Sequence, residues 1–451
     1  MYFTQKHSAP TVESLFIRYV SQNILGMLGI SAYVLADTFF IAKAAGVNGI
    51  TALNLVLPVY SLIFAIGNMI GTGSATRFAI LRAQKEASAD SYFSHAVICS
   101  VLAGLIFTFM GILIPGQIMK MLGANAEILA IGTPYTRIFL LFGPFFMLNY
   151  VYNAFVRNDG NPSLTMIATL TSSLFNILMD YLLMFPLGMG MAGAALATAI
   201  SPVVGICICS IHFVSGKASI HLRVVPLSLH KLIRSCQLGI SAFVGEIASG
   251  ITTIVFNFLI LDLSGNTGVA AYGIVANTAL VATAIFNGVS QGGQPLFSNY
   301  YGKGEKKAVR KTLMLSLITA FSLAAVLITA VYLMTDPIIH VFNSENNSKM
   351  ASYAFSGLRL YFLGFLFASL NIVGTGYLSA TEKARSAFIT STMRGFAAII
   401  FCAFTMSRIW GMKGVWLAFP AAEAITLLVM LGMLTASSRT KPGQHSAQQE
   451  P

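Results

Sequence analysis

The chain has 451 residues, of which 56% are apolar and only 9% charged, with a formal net charge of +12 and a mean hydropathy of +0.76. No soluble domain of this size tolerates so much apolar surface, so the excess must face lipid and a separate water-soluble catalytic domain is excluded. The positive charge does not point to nucleic acid, because the Lys and Arg residues fall in connectors rather than on one basic face.

Met1 to Ser14 lacks a cationic region followed by a short apolar core and a cleavage site, so the first apolar segment is expected to stay as the first span. Apolar windows and their Gly, Pro and charged breaks place helices near 15–42, 50–72, 93–116, 134–156, 163–185, 189–213, 236–261, 270–297, 311–335, 353–378, 386–408 and 414–436. Each is about 20 residues or longer, enough to cross a bilayer. Cys99, Cys207, Cys209, Cys236 and Cys402 are odd in number and mostly inside apolar runs, which fits small packing residues and not a disulfide framework or a zinc site. If both termini are cytoplasmic, 20 of the 27 Lys and Arg lie inside, Arg157 and Arg394 among them. The others are Lys43, Lys120, Arg137, Lys349, Arg359, Arg408 and Lys413. That bias follows the positive-inside rule and predicts a multi-pass protein of the cytoplasmic membrane.

A shift of about 220 residues lays Gly46-Val-Asn-Gly-Ile-Thr-Ala52 over Gly265-Asn-Thr-Gly-Val-Ala-Ala271 and Asn68 over Asn287. Nearly the same shift lays Gly190-Met-Ala-Gly193 over Gly411-Met-Lys-Gly414. Two matches at one shift indicate duplication. Six helices per copy give both halves one orientation, with an N-lobe over 1–214, a cytoplasmic linker over 215–231, a C-lobe over 232–437 and a disordered cytoplasmic tail over 438–451. Two parallel six-helix bundles are a transporter design, since the cavity between them opens to either side as they rock. No filter-like loop suggests a channel. No GxxxxGK[ST], HExxH or nucleotide domain occurs, which leaves ion-gradient coupling.

Ionisable groups at bilayer depth are functional candidates by default, because each costs several kcal/mol unless paired or wet. Asp37 and Asp180 lie about five residues, roughly 8 Å, below the outer ends of helices 1 and 5. Asn176 is one turn deeper than Asp180 on the same face, and Thr198 of helix 6 reaches the depth of Asn176. These oxygens suit a hard monovalent cation, Na⁺, or a shared proton. The competing reading is local: Asp37 caps a bend, Asp180 bonds backbone, and Asn176 and Thr198 glue helices. Glu246, in mid-helix 7, is either a second-lobe site or half of an ion pair. Arg394 and Glu423 read as a mutual structural pair. Gln291-Gly-Gly-Gln294-Pro295 in helix 8 reads as a hinge or broken helix lining the cavity, or as a proline tolerated near a helix end. His7, His95, His221, His230 and His445 fall in loops, tails or near a cytoplasmic helix end, and neither His212 nor His340 has an obvious partner, so no nucleophile and base share one depth.

The run Ala36-Asp37-Thr-Phe-Phe-Ile41, the segment Leu174-Phe-Asn176-Ile-Leu-Met-Asp180, the segment Gly193-Ala-Ala-Leu-Ala-Thr198-Ala-Ile-Ser201 and Gln294-Pro295 before Asn299-Tyr-Tyr-Gly302 resemble the multidrug and toxic compound extrusion (MATE) family, in its MepA- and DinF-like branch. The resemblance runs from Ser14 to about Ser437. It implies an all-α membrane fold of twelve helices in two six-helix lobes forming a V, acting as an antiporter that exports amphipathic or cationic drugs, or metabolites, against Na⁺ or H⁺. It also implies no cofactor beyond the coupling ion, a monomer with small-molecule and lipid partners and no nucleic acid, and no enzyme activity. Carried over residue by residue, the N-lobe cation site falls on Asp37, Asn176, Asp180 and Thr198, and Glu246 is similar to a helix-7 glutamate of some branches. The helix-10 carboxylate of those branches is missing between Gly357 and Tyr377, which leaves a C-lobe ion site incomplete. A flippase of lipid-linked or polysaccharide precursors is the alternative; it would line its cavity with basic residues.

Overall fold

The structure, a computed structural model, describes residues 10–216, 218–221, 226–343 and 347–439. The expected tail from 440 onward and part of the expected linker, with Lys217 and Arg223, lie outside the described residues. All regular structure among the described residues is helical. Seven helices are long and apolar enough to cross a membrane, and two bent pairs each make one more span. Three of the seven, Val12–Ala83, Leu229–Gly302 and the run Ala384–Thr435, are too long for one crossing and turn back at Gly46, Gly265 and Gly411. The result is twelve spans. We number them α1 (12–45), α2 (47–83), α3 (Ala89–Leu113), α4 (126–158), α5 (Pro162–Met184), α6 (Gly190–Val214), α7 (229–264), α8 (266–302), α9 (Lys306–Leu333), α10 (348–380), α11 (384–410) and α12 (412–439). Side-chain caps start several of them: Thr11 Oγ1 accepts from Ser14 N at 3.2 Å, and Asn161 Oδ1 accepts from Leu164 N at 3.2 Å just before Pro162.

Each turning glycine has φ between +55° and +62° with ψ between −135° and −159°, a region only glycine occupies without strain. The three turns are one device. Three residues on, a second glycine packs against the residue five before the turn: Gly49 on Ile41, Gly268 on Ile260 and Gly414 on Met406. A Cβ on Gly268 would sit 2.8 Å from Ile260 Cγ2. Eight residues of straight helix would hold such pairs about 12 Å apart. Gly190, also at positive φ, opens the α5–α6 turn, and Gly193 packs on Leu183. The Gly-x-x-Gly matches that relate the sequence halves are therefore the hairpin turns themselves. The bent spans obey the same relation: α4 breaks by 47° between Leu141 and Gly143, and α10 by 46° between Phe362 and Phe365.

Apolar side chains form two main cores. One gathers α7 to α12, joined by Phe16, Tyr19 and Val20 of α1. The other, with smaller satellites, gathers α1 to α6. The lobes meet at the end that carries residue 12 and, because the spans are even in number, residue 439. There glycines bring backbones together: a Cβ on Gly292 would lie 2.7 Å from Val20 Cα, and one on Gly288 2.6 Å from Ile24 Cα. Gly73 against Ser235 and Gly239 against Met69 are closer still. Farther along the seam the approach is looser: a Cβ on Gly250 of α7 would lie 3.7 Å from Ser61 Oγ of α2. The backbones of the two lobes thus approach most closely at that one end.

Candidate functional site

The α5 helix brings Asn176 and Asp180 to one face, a turn apart and both fully buried, and α6 brings Thr198 against them: Asn176 Nδ2 donates to Thr198 Oγ1 at 3.3 Å. Ser172 Oγ, one turn below Asn176, donates to Ser201 O at 2.6 Å and holds the two helices in register. From α1, Asp37 is only 8% exposed, and three residues on Phe40 packs against Tyr181, the neighbour of Asp180, with ring centroids 6.3 Å apart. The N-lobe therefore gathers the four residues singled out by depth.

The oxygens of this cluster lack donors. Asp37 Oδ1, Asn176 Oδ1 and both carboxyl oxygens of Asp180 are buried without a hydrogen-bond partner. Buried acceptors are normally satisfied, since leaving one bare costs about 1–3 kcal/mol and more for a charged group. Several on one spot create a demand for a cation or a proton. The local alternative for Asp180 fails on this point, because no backbone group engages either of its carboxyl oxygens.

Three tyrosines lie near the site. Tyr33, one turn before Asp37, lies within electrostatic reach of Asp37, Asp180 and Glu246, and Tyr60 and Tyr135, joined hydroxyl to hydroxyl, lie within reach of Asp37. Sequence reading did not single them out, although the i, i+4 spacing of Tyr33 and Asp37 was available. Glu246, half-buried beside the open Gly245, accepts from Asn68 Nδ2 of α2 at 3.1 Å, and Asn68 in turn accepts from Thr72 Oγ1 at 2.8 Å. Its partner is thus an amide of the other lobe. In the C-lobe, Arg394 Nε donates to Glu423 Oε1 at 2.7 Å, while Asn371 Nδ2 of α10 donates to Glu423 Oε2 at 2.8 Å. Arg394 sits on a single π-helical turn, Met393–Ala397, that re-aims the α11 side chains.

Three readings need correction. The helix is not broken at Gln291, Gln294 and Pro295 but runs on to Gly302, as for a proline tolerated near a helix end, and Gln294 and Pro295 are buried where the lobes touch. Arg157, assigned to a wet connector, is 6% exposed within that seam. His212 does have a partner: its Nε2 lies 2.8 Å from Asp159 Oδ2, which also accepts from Ser219 N at 2.8 Å. In each case the missing information was a partner remote in sequence.

Twelve spans in two lobes packed most closely at one end of their seam, with a bare carboxyl cluster inside one lobe, define the fold of a polytopic membrane transporter. A sequence model of the MatE family matches residues 23–182 and 242–404, one stretch in each lobe, and the chain belongs to that family. The Multidrug export protein MepA of Staphylococcus aureus (strain MSSA476) is 30% identical over 418 residues, covering 90% of each chain. That of Staphylococcus saprophyticus is 28% identical over 411 residues, again covering 90% of each. Among solved structures, an outward-facing multidrug resistance MATE family transporter of the MOP superfamily superposes with a TM-score of 0.89 at 20% identity, covering 95% of this chain and 96% of that one. A MOP superfamily transporter from Pyrococcus furiosus, described as having reverse polarity of its binding pocket, gives 0.88 at 19%, with 95% and 96% covered.

Proposed function

We propose that the protein is a secondary multidrug exporter that expels amphipathic, often cationic, small molecules in antiport with Na⁺ or H⁺, the ion binding among Asp37, Asn176, Asp180 and Thr198. The observation that carries this reading is the set of buried, unpartnered oxygens on α1 and α5. Two ionised carboxylates in a weakly screened site repel by several kcal/mol, so without a cation α1 tends to move from α5. A proton or Na⁺ removes the repulsion and favours the other packing, and a difference of a few kcal/mol inverts such populations. Drug then leaves as the ion enters, each acting on one equilibrium. The relatives named multidrug export proteins support the substrate class. The positive-inside bias supports both termini, and so the closed end, in the cytoplasm; the chain works as a monomer.

The test is ethidium efflux from proteoliposomes under separately imposed Na⁺ and proton gradients. Efflux driven by one of them is expected. Efflux that ignores both and needs ATP sinks the proposal.

A further inference from the structure

The closed end is held by more than backbone contact. Arg157, near the end of α4, has no carboxylate paired with it among the described residues. Its Nη1 donates to Asn23 Oδ1 of α1 at 3.1 Å and, across the seam, to Gln291 Oε1 of α8 at 3.0 Å; its buried Nε has no acceptor. The next residue continues the pattern. Asn158 Nδ2 donates to Gln294 Oε1 at 2.9 Å, and Gln294 Nε2 returns a bond to Asn158 Oδ1 at 3.3 Å. Gln294 Nε2 also reaches Thr76 Oγ1 of α2 at 3.0 Å. Gln291 and Gln294 are three residues apart on one face of α8, the face whose Gly288 and Gly292 lie on α1. Ion pairs rim this layer: Glu13 with Lys311, and Arg77 with Glu382 at 2.7 Å.

We propose that Arg157–Gln291 and Asn158–Gln294 form the latch of this gate, whose release lets α8 part from α1, α2 and α4 and opens the transport path at this end. The proposal rests on the alternating-access reading above. The chemistry suits a contact that must break on every cycle. Two amides and a guanidinium held by neutral acceptors can exchange each other for water without stranding an opposite charge, whereas a buried carboxylate partner would leave two. Arg157 keeps Asn23, in its own lobe, in either state. Of the rim pairs, Glu13–Lys311 is about half exposed and contributes little, whereas Arg77–Glu382, 19% and 16% exposed, also fastens the lobes at this end. Gln294 and Arg157 are thus positioning residues: they set the balance between the two conformations and touch neither ion nor drug.

The experiment uses the full chain in nanodiscs with Val20→Cys as reporter, since Val20 is buried against Gly292. Its reaction with a charged maleimide is read by peptide mass spectrometry, which separates it from the native thiols. Gln294→Ala, Asn158→Ala and Arg157→Gln should each raise the labelling rate roughly tenfold, the size of one lost buried hydrogen bond. Glu13→Gln should change it less than about twofold. The double variant Asn158→Ala, Gln294→Ala should label no faster than the faster single one, because both remove the same pair. Unchanged rates in the three variants, or a double variant whose effects multiply as for general loosening, overturn the latch. Should those rates stay flat while Na⁺ or pH still alters labelling of the reporter protein, the latch falls and the antiport reading stands. If the variants label faster but no ion or drug alters any rate, the antiport reading falls and the latch stands.

Discussion

At the scale of single residues, Asp180 has two bare oxygens and Glu246 a partnered one, and the two should respond differently to neutralisation. Asp180→Asn keeps the shape but cannot supply the counter-charge, so it should remove most ethidium export while membrane insertion and yield stay normal. Glu246→Gln should reduce export less. Resistance assays on cells matched for expression decide this, and a more damaging Glu246→Gln would move the coupling site to the seam between the lobes. Glu423 poses the opposite case, because its carboxylate satisfies Arg394 and Asn371 at once. Glu423→Ala should cost about 3 kcal/mol, leaving a partly buried cation unpaired. The thermal midpoint of the purified protein should fall, with export per folded molecule retained. The fixed period of a helix made Asp180, Asn176 and Thr198 legible in the sequence as one layer. Arg157 was not legible, because its burial depends on α8 arriving from 134 residues away.

At the scale of elements, the Gly-x-x-Gly turn does two jobs in four residues. Its first glycine takes a backbone conformation closed to other residues, and its second leaves room for the returning helix to touch the outgoing one. Gly46→Ala should therefore destabilise by about 1–3 kcal/mol although nothing lies within 4 Å of the added methyl. Gly432→Ala, equally open but helical, should cause no loss. Thermal unfolding of the two variants separates backbone strain from crowding; equal midpoints would count against the turn as a conformational constraint. The proline of α8 has the reverse lesson. A Gly-Gly-Gln-Pro run suggests a break, yet packing of Gly292 on α1 and the bonds of Gln294 hold the helix continuous.

For the whole molecule, the carboxyl cluster proposed to bind the ion lies in the N-lobe while the seam joins both lobes through α1, which carries Asp37 toward one end and Tyr19, Val20 and Asn23 at the other. Ion and drug should therefore compete through conformation. Drug affinity of the purified protein should weaken as pH falls if the coupling ion is H⁺, or as Na⁺ rises if it is Na⁺, and reciprocity requires drug to weaken ion binding by the same factor. In the Asp37→Asn, Asp180→Asn double variant this dependence should vanish. Equal shifts in both proteins would show that these aspartates are not the coupling element.

Local chemistry and solvent impose the features that were readable along the chain. Apolar length requires spans, backbone bonds unsatisfied in lipid require helices, and duplicated glycines mark where they turn. Depth along each helix then placed the polar residues in layers. Which helices meet, and how closely, followed from the packing of the folded chain. Backbones approach where glycines of one lobe face carbonyls or Cα atoms of the other, and amides pair across more than 100 residues of chain. Those contacts depend on the relative placement of two packed lobes, and helical periodicity within either lobe carries no information about that placement.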